Sequence, residues 1–238
     1  MAMIEQEQVS DLTVYKSNDL IQASYKLSLI EQRILLCCIG KVDSRKPAHV
    51  QENRFRLSAA EYLERFPDAN RKNAYRDLRD ASVDLFRREV KITKGKKTTL
   101  LHWCTEATYH DGEGWVELAF TPQIAPYLTA LGPKFTKYEI AQIAGLRSAY
   151  SLRLFEMLMQ FKSTGLLVVE LEKFISWLQL PYERYTDIRR FVIDVAVKEI
   201  NAKSNMHVEW KAIKNGRSVA RLEFTFKEEQ QGHLPLEE

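Results

Sequence analysis

One pattern of apolar, proline and arginine residues occurs twice in this chain and constrains the fold more than any other feature. The segment that begins at Leu57 matches the segment that begins at Leu171 without a gap, at an offset of 114 residues. Few residues are identical, but a repeated apolar pattern indicates two units of one fold. The matched pairs are Leu57 and Leu171, Leu63 and Trp177, Phe66 and Leu180, Pro67 and Pro181, Arg76 and Arg190, Leu78 and Val192, Ala81 and Val195, and Phe86 and Ile200.

Each unit is predicted to contain three helices in the same order. The first begins at Leu27 in one unit and at Tyr150 in the other, and apolar residues recur at three- and four-residue spacing in both. Ser28 and Glu31 have the spacing of a capping box, which marks a helix start. The second and third helices are predicted at 59–66 and 73–88 in the first unit and at 171–178 and 187–203 in the second.

A basic hairpin follows the third helix of each unit. The first is VKITKGKKTTLLHW (90–103), and the second is centred on the strong turn signal Asn215-Gly216. A further strand, GWVELAF, follows in the first unit. Three helices and a hairpin are the order of a winged helix-turn-helix. We therefore predict an α+β fold of two tandem winged-helix domains, residues 1–132 and 133–238, joined near Gly132-Pro133.

The third helix and the hairpin of each unit are rich in basic residues. Residues 71–103 contain ten bases and four acids, and residues 184–221 contain nine bases and four acids. A helix fits the major groove of B-DNA, where arginine binds guanine, and lysines can neutralise phosphates. We therefore predict double-stranded DNA as the partner, contacted by Arg71, Lys72, Arg76, Arg79, Lys94, Lys96 and Lys97 in the first unit and by Arg184, Tyr185, Arg189, Arg190, Lys214 and Arg217 in the second.

A solvated, charged helix face is the plain alternative for either unit taken alone. Arg76 and Asp80 have the spacing of a helical ion pair, and no ligand is needed to explain such a face. Bases at matched places in both units favour DNA contact instead. The buried stripes predicted beneath these bases are Ala74, Leu78, Ala81 and Leu85 in the first unit and Ile188, Val192, Val195 and Ile200 in the second.

The usual signatures of enzymes are absent from the sequence. There is no GxxxxGK[ST] loop for nucleotide phosphates, no HExxH, and no CxxC spacing among the three cysteines. We therefore expect no catalysis, no cofactor and no metal site. No signal peptide and no apolar run of about 20 residues is found, so we expect a cytoplasmic protein without a membrane partner.

Three stretches resemble the initiator proteins of iteron-containing plasmids, a family of tandem winged helices. They are VYKSNDLIQASYKLSLIEQRILLCCI from Val14, AYSLRLFEML from Ala149, and YTDIRRFVIDVAVKEINAKSNMHVEWKAIKNGRSVARLEFTF from Tyr185. The opening LIQASYKLSLIEQRIL is the most specific of these. The resemblance covers nearly the whole chain, from about Val14 to Lys227.

The resemblance implies a sequence-specific plasmid replication initiator. Monomers of such proteins bind the origin iterons, help to melt the adjacent A·T-rich DNA, and recruit the host replication initiator and helicase-loading proteins without ATPase activity of their own. Dimers bind an inverted repeat in the promoter, repress it, and restrain copy number by coupling origins. Host chaperones convert dimers to monomers, so a homodimer in equilibrium with a monomer is expected here.

The resemblance also implies roles for particular residues. Arg189 and Arg190 match the arginines of the family's recognition helix, so the second unit is expected to be the principal iteron reader. The first unit is expected to contribute further DNA contact and dimerisation. Leu20, Leu27 and Ile34 match the segment linked with dimerisation. They are seven residues apart, but two heptads are too few for a coiled coil, so we favour a core position with an indirect effect on dimerisation.

Two other functions fit the same pattern. A transcriptional regulator with this fold would bind an operator and have no role in replication, and a plasmid that depends on the protein would separate the two. A protein-interaction module that docks partners on its hairpins would bind DNA weakly and without dependence on salt.

Overall fold

The computed structural model describes residues 12–46 and 53–228, and its elements alternate between short helices and antiparallel strands. In chain order the first ten are β1 (Thr13–Ser17), α1 (Asn18–Ile21), α2 (Leu29–Gly40), β2 (Arg54–Ser58), α3 (Ala59–Arg65), α4 (Ala74–Arg87), β3 (Glu89–Lys94), β4 (Lys97–His102), β5 (Cys104–Tyr109) and β6 (Trp115–Phe120). The remainder are β7 (Phe135–Glu139), α5 (Ala149–Met159), β8 (Leu166–Glu170), α6 (Leu171–Leu178), α7 (Tyr185–Ile188), a π-helical turn (Arg189–Ile193), α8 (Asp194–Lys203), β9 (Met206–Asn215) and β10 (Ser218–Glu228).

The two units have the same topology. In the first, the helices are α2, α3 and α4, and the three-stranded sheet has the order β2–β6–β5. In the second, the helices are α5, α6 and the α7–α8 helix, and the sheet has the order β8–β10–β9. In both, a strand before the second helix pairs with the last strand, and the final two strands form a hairpin. This is the winged-helix arrangement, so the prediction of two tandem winged-helix units is confirmed.

Local sequence signals account for where the helices begin and end. The predicted capping box at the start of α2 is present, since the Ser28 side chain accepts from the Glu31 N–H and the Glu31 carboxylate accepts from the Ser28 N–H. Ser58 caps α3 in the same manner. Helices α3 and α6 both end shortly before a proline, as predicted, because the residue that precedes proline is pushed out of helical geometry.

The lysine-bearing hairpin is not the wing of the first unit. It is a separate two-stranded sheet, β3–β4, inserted after α4. The counterpart of β9–β10 is β5–β6, because β6 lies between β2 and β5 as β10 lies between β8 and β9. Both basic hairpins exist, but their predicted equivalence is wrong. Strand β5 was not predicted, because its sequence CTEATY lacks the apolar alternation that identified the other strands.

A π-helical turn shifts the buried face of the third helix in the second unit. The turn at Arg189–Ile193 closes i to i+5 instead of i to i+4, so it adds one residue to the helix. After the turn Ala196 is buried, whereas Val195 is 44% exposed. The prediction that Val195 lies on the buried stripe is therefore wrong.

The same shift explains a second incorrect pairing. Phe86 of α4 is 42% exposed, and its neighbour Leu85 is fully buried. Leu85, and not Phe86, is thus the counterpart of the buried Ile200. The other members of the two predicted stripes are buried as expected: Ala74, Leu78 and Ala81 in α4, and Ile188 and Val192 in the second unit.

Near the start of the described residues, β1 pairs with a strand that is distant in the chain. Strand β1 pairs antiparallel with β7, with Thr13 opposite Glu139, so the pair crosses the predicted division between residues 132 and 133. Behind the pair, the buried carboxylate of Glu156 on α5 binds Lys16 Nζ at 2.5 Å and Tyr138 OH at 2.6 Å. The positions of the domain ends stay predictions, and residues 1–11 and 229–238 lie outside the described residues.

Leu20, Leu27 and Ile34 are buried in the core that the two units share. This is the core position that the sequence favoured, and a part in dimerisation stays a prediction. Cys37, Cys38 and Cys104 are buried free thiols. In the part of the chain that the structure describes, no helix is long and apolar enough to cross a membrane.

Candidate nucleic-acid interface

The third helix of the second unit presents its basic residues on the exposed side. Arg184 caps the start of α7, and Arg189 and Arg190 lie one turn later in the π-helical turn. All three are exposed, while Ile188 and Val192 anchor the helix to the core. Because the basic residues gather at the N-terminal end, this helix matches the end that enters the major groove in helix-turn-helix proteins.

Arg189 and Arg190 have different surroundings. Arg189 Nε donates to Asp194 Oδ2 at 3.3 Å, and its guanidinium lies 5.8 Å from the centre of the Trp210 ring. Arg190 lies 5.2 Å from the ring of its neighbour Phe191. Neither Arg190 nor Arg184 has an ion pair among the described residues. Arg189 is therefore held in place, whereas Arg190 and Arg184 are available to an external anion.

Tyr185 is a less open position than predicted. It is half-buried at the start of α7, and burial raises the pKa of its hydroxyl. A phenol in this position is a neutral hydrogen-bond donor, and only the solvent-facing part of the side chain can contact a ligand. It supports the start of the helix as much as it presents a binding group.

The wing of the second unit ends in two exposed cations. Asn215 pairs with Ser218, so the two-residue turn is Gly216-Arg217, one residue later than the predicted signal. Gly216 adopts φ 62°, as the tight turn requires, and Lys214 lies just before the turn. In the part of the chain that the structure describes, neither cation has an ion pair. The predicted basic tip is present, and it belongs to the same unit as Arg184 and Arg190.

The third helix of the first unit carries bases that are largely paired. Arg79 contacts Asp80 at 3.0 Å and Asp111 at 3.7 Å, and Arg76 lies 3.8 Å from Asp77. Asp111 belongs to the β5–β6 turn, which therefore brings an acid to the helix. Exposed pairs of this kind contribute about 0–1 kcal/mol, so they can exchange for phosphate, but they reduce the positive potential of this unit.

The remaining first-unit candidates lie in two separate places. Arg71 and Lys72 are exposed in the turn that leads into α4. Lys96 and Lys97 are exposed at the tip of β3–β4, and Lys94 forms a salt bridge with Asp19. The hairpin is fixed at its base by hydrogen bonds between Ser24 and Lys91 backbones, both at 2.9 Å. The lysines thus form a surface distinct from the wing.

Sequence reasoning missed the aromatic support around the second reading helix. Tyr182, in the turn between α6 and α7, stacks on Phe191 with ring centres 5.8 Å apart and planes 23° apart. Trp210 of β9 lies beneath Arg189 and is half-buried. Side chains alternate along β9, so Trp210 lies on the same face as the buried Val208. This alternation was the sequence signal from which the position of Trp210 could have been predicted.

The exposed cations of the two units are spread over an extended surface. Within residues 12–46 and 53–228, no group of three or more His, Cys, Asp or Glu side chains could hold a metal ion. Free cations occupy the helix and wing of the second unit, and further cations lie on the first unit and on β3–β4. This spacing suits a ligand with repeated negative charges.

Comparison with known proteins gives the family. Residues 13–159 match the model described as Initiator Replication protein, WH1, and residues 170–226 match Initiator Rep protein, WH2. A Replication initiation protein of Escherichia coli is 27% identical over 238 residues, covering 96% of this chain and 74% of its own length. The PI protein of Escherichia coli is 24% identical, covering 88% and 80%.

A solved structure has the same fold as this chain. The crystal structure of the Pi initiator protein in complex with iteron DNA superposes with a TM-score of 0.78 and 20% identity, covering 92% of this chain and 98% of that one. The first family model extends from β1 through α5, and the second runs from the end of β8 into β10, so the first model includes the helix α5 that the topology places in the second unit. The chain therefore belongs to the initiator replication protein family.

Proposed function

We propose that this protein initiates plasmid replication by binding repeated sites in origin DNA, with the second unit as the principal reader. The observation that supports this most strongly is the grouping of four cations without ion pairs among the described residues, Arg184, Arg190, Lys214 and Arg217, on the helix and wing of one unit. The relative of similar fold was crystallised with iteron DNA, which is consistent with this assignment.

The first unit is proposed to add affinity more than selectivity. Its helix bases are engaged with Asp77, Asp80 and Asp111, and these pairs must open before a phosphate can replace the carboxylate. Lys96 and Lys97 at the β3–β4 tip are proposed to bind the sugar–phosphate backbone, which carries no sequence information. Each phosphate neutralised would add about 0.9 to the slope of log K against log salt.

The protein is proposed to act on DNA without catalysis or a cofactor. Melting and helicase loading would then come from binding energy and from the host replication initiator, helicase and chaperones. Direct repeats of about two helical turns beside the gene would support the role, since two reading helices in successive major grooves lie about one turn, 10–10.5 bp, apart. A plasmid that still replicates without the protein would leave the regulator as the better assignment.

A dimeric repressor form is also proposed, bound to an inverted repeat in the promoter. Leu20, Leu27 and Ile34 are buried, so they cannot form its interface in this conformation. The outer edge of β4 is a better surface, because it pairs with no strand in the described chain and Leu100 is 61% exposed there. Unpaired strand edges favour pairing with another chain.

The reading role is tested by replacing Arg190 with alanine. With an iteron duplex at fixed salt, we expect the Kd to rise by about 5- to 150-fold, the equivalent of roughly 1–3 kcal/mol for an arginine that binds a base. Lys162→Ala is the matched control, since Lys162 is an exposed cation in the turn after α5, paired with Glu228 at 2.8 Å. If Arg190→Ala bound the iteron duplex as tightly as the wild type does, and bound a random duplex equally tightly as well, this helix would have no reading role.

A further inference from the structure

Two apolar side chains are exposed on the helix that carries the reading arginines. Phe191 is 45% exposed and Val195 is 44% exposed. They are four residues apart, so they lie on the same side of the helix. The π-helical turn accounts for the exposure of Val195, because without its extra residue Val195 would occupy the place of the buried Ala81. π turns of this kind are frequent at functional sites.

The Phe191 ring is held in a defined orientation. Tyr182 stacks on it with ring centres 5.8 Å apart, and the Arg190 guanidinium lies 5.2 Å from its centre. A ring fixed by neighbours loses little conformational freedom when a ligand covers it. The exposed part of Phe191 is therefore a preformed apolar contact surface beside a free arginine.

Charged groups limit the extent of this apolar surface. Asp194 and Lys198 are exposed on the same helix, and Arg190 borders Phe191 on its other side. A protein-docking patch normally extends over a few hundred Å². Here the apolar area is confined to two side chains among charged ones. Such an area suits a charged partner that carries small apolar groups better than it suits an apolar protein surface.

We propose that Phe191 and Val195 contact the 5-methyl groups of thymines and so select T·A pairs next to the pairs read by arginine. The inference rests on the proposed function. In the major groove the 5-methyl group marks thymine, and phenylalanine and small apolar side chains are its usual contacts. The helix places these two side chains among Arg184, Arg189 and Arg190, which are assigned to the same groove.

The test uses the full chain and a duplex that it selects itself from a random pool. Each thymine of that duplex is replaced singly by deoxyuridine, which lacks the methyl group but keeps every hydrogen-bonding atom. For the wild type, we expect one or two replacements within the site of the second unit to raise the Kd about fourfold each, the value of one buried methyl-sized group. The other replacements should have no effect.

Two variants connect the effect to the side chains. Phe191→Ala should bind the thymine and deoxyuridine forms of one position equally, and Val195→Ala should do so at the other. Leu166→Ala is the matched control, since Leu166 is 42% exposed on β8 away from the helix, and it should keep the full discrimination. Phe191→Leu keeps an apolar side chain and serves if the alanine variant fails to fold.

The outcomes separate this inference from the function on which it rests. If the selection enriches no sequence, the proposed function fails and the inference falls with it. If the wild type binds its selected duplex but is insensitive to every replacement, the inference alone is wrong and a protein partner becomes the better explanation of the exposed pair. Retained discrimination in both alanine variants would also overturn it.

Discussion

Adjacent arginines on the reading helix have different physical roles. Arg189 is held by Asp194 and lies over Trp210, so its side chain loses less conformational freedom on binding than a free one. Arg190 has no such restraint and keeps its full charge for a ligand. The sequence identified both as readers, but it could not distinguish them, because Asp194 reaches Arg189 only through the geometry of the π-helical turn.

The three cysteines give a prediction at the scale of single residues. Burial raises the pKa of the Cys37 and Cys104 thiols to about 12, and it raises the pKa of Cys38 as well. Since the thiolate is the reactive form, we expect the native protein to release no colour from a thiol-specific chromogenic reagent at pH 8 over minutes. Three equivalents should react after denaturation, and fast reaction of one equivalent in the native state would contradict the burial.

At the scale of elements, the sequence predicted the helices better than the strands. The predicted bounds of α6 are the observed ones, Leu171–Leu178. The predicted bounds of α3, α4 and the α7–α8 helix agree with the observed ones within a few residues. Strands β1, β2, β5, β7 and β8 were not predicted. Each has five or six residues, and apart from the β5–β6 hairpin their partners are distant in the chain, so no local turn signal marks them.

The elements that carry the predicted site were easier to predict in the second unit, and contact of their bases with DNA stays a prediction. The helix and wing of that unit both follow from local signals, and the bases lie where those signals place them. In the first unit the predicted wing is an inserted hairpin, and acids from the β5–β6 turn reach the helix bases. Sequence spacing alone could not reveal this, because contacts between distant segments decide which bases stay unpaired.

Two turn glycines give a prediction at this scale. Gly165 adopts φ 65°, and a Cβ there would lie 2.6 Å from the Phe226 carbonyl oxygen. Gly216 adopts φ 62° with nothing near its Cβ position. We expect Gly216→Ala to lower the free energy of unfolding by about 1–2 kcal/mol and Gly165→Ala by about 2–5 kcal/mol, because the clash adds to the backbone strain. Urea denaturation measures the free energy of unfolding of both variants. Equal losses of stability would show that the backbone shifts away from the Phe226 carbonyl contact at no cost.

At the scale of the whole molecule, buried charges join α5 to the β1–α1 segment. The Glu156 carboxylate binds Lys16 and Tyr138, and it also accepts from Arg153 at 3.2 Å. Arg153 in turn donates to the carbonyls of Ile21 and Ala23, both at 3.0 Å. Burial alone would raise the pKa of Glu156, but the two cations outweigh it and lower the pKa. Helix α5 therefore holds β1 and α1 in place through buried charged and hydrogen-bonded side chains.

Glu156→Gln should destabilise the protein by about 3–5 kcal/mol, since it leaves buried Lys16 and Arg153 without their anion. Glu106→Gln is the matched control, because Glu106 pairs with Arg54 on the surface, where solvent screens the pair, so this substitution should cost far less. Glu156 has a lowered folded pKa, so its contribution is present above its unfolded pKa of about 4.3 and is lost as the pH falls through the folded value. Urea denaturation at pH 7 and at lower pH should therefore show the stability of the wild type falling towards that of Glu156→Gln as the pH is lowered. A stability difference between the two proteins that does not change with pH would contradict the assignment.

The pairing of β1 with β7 has a consequence for synthesis on the ribosome. The partner of Thr13 is Glu139, more than a hundred residues later in the chain. At roughly 5–20 residues per second, the nascent β1 waits about 6–24 s before its partner strand is made. Its amide edge is open to chaperones or to another nascent chain throughout that interval.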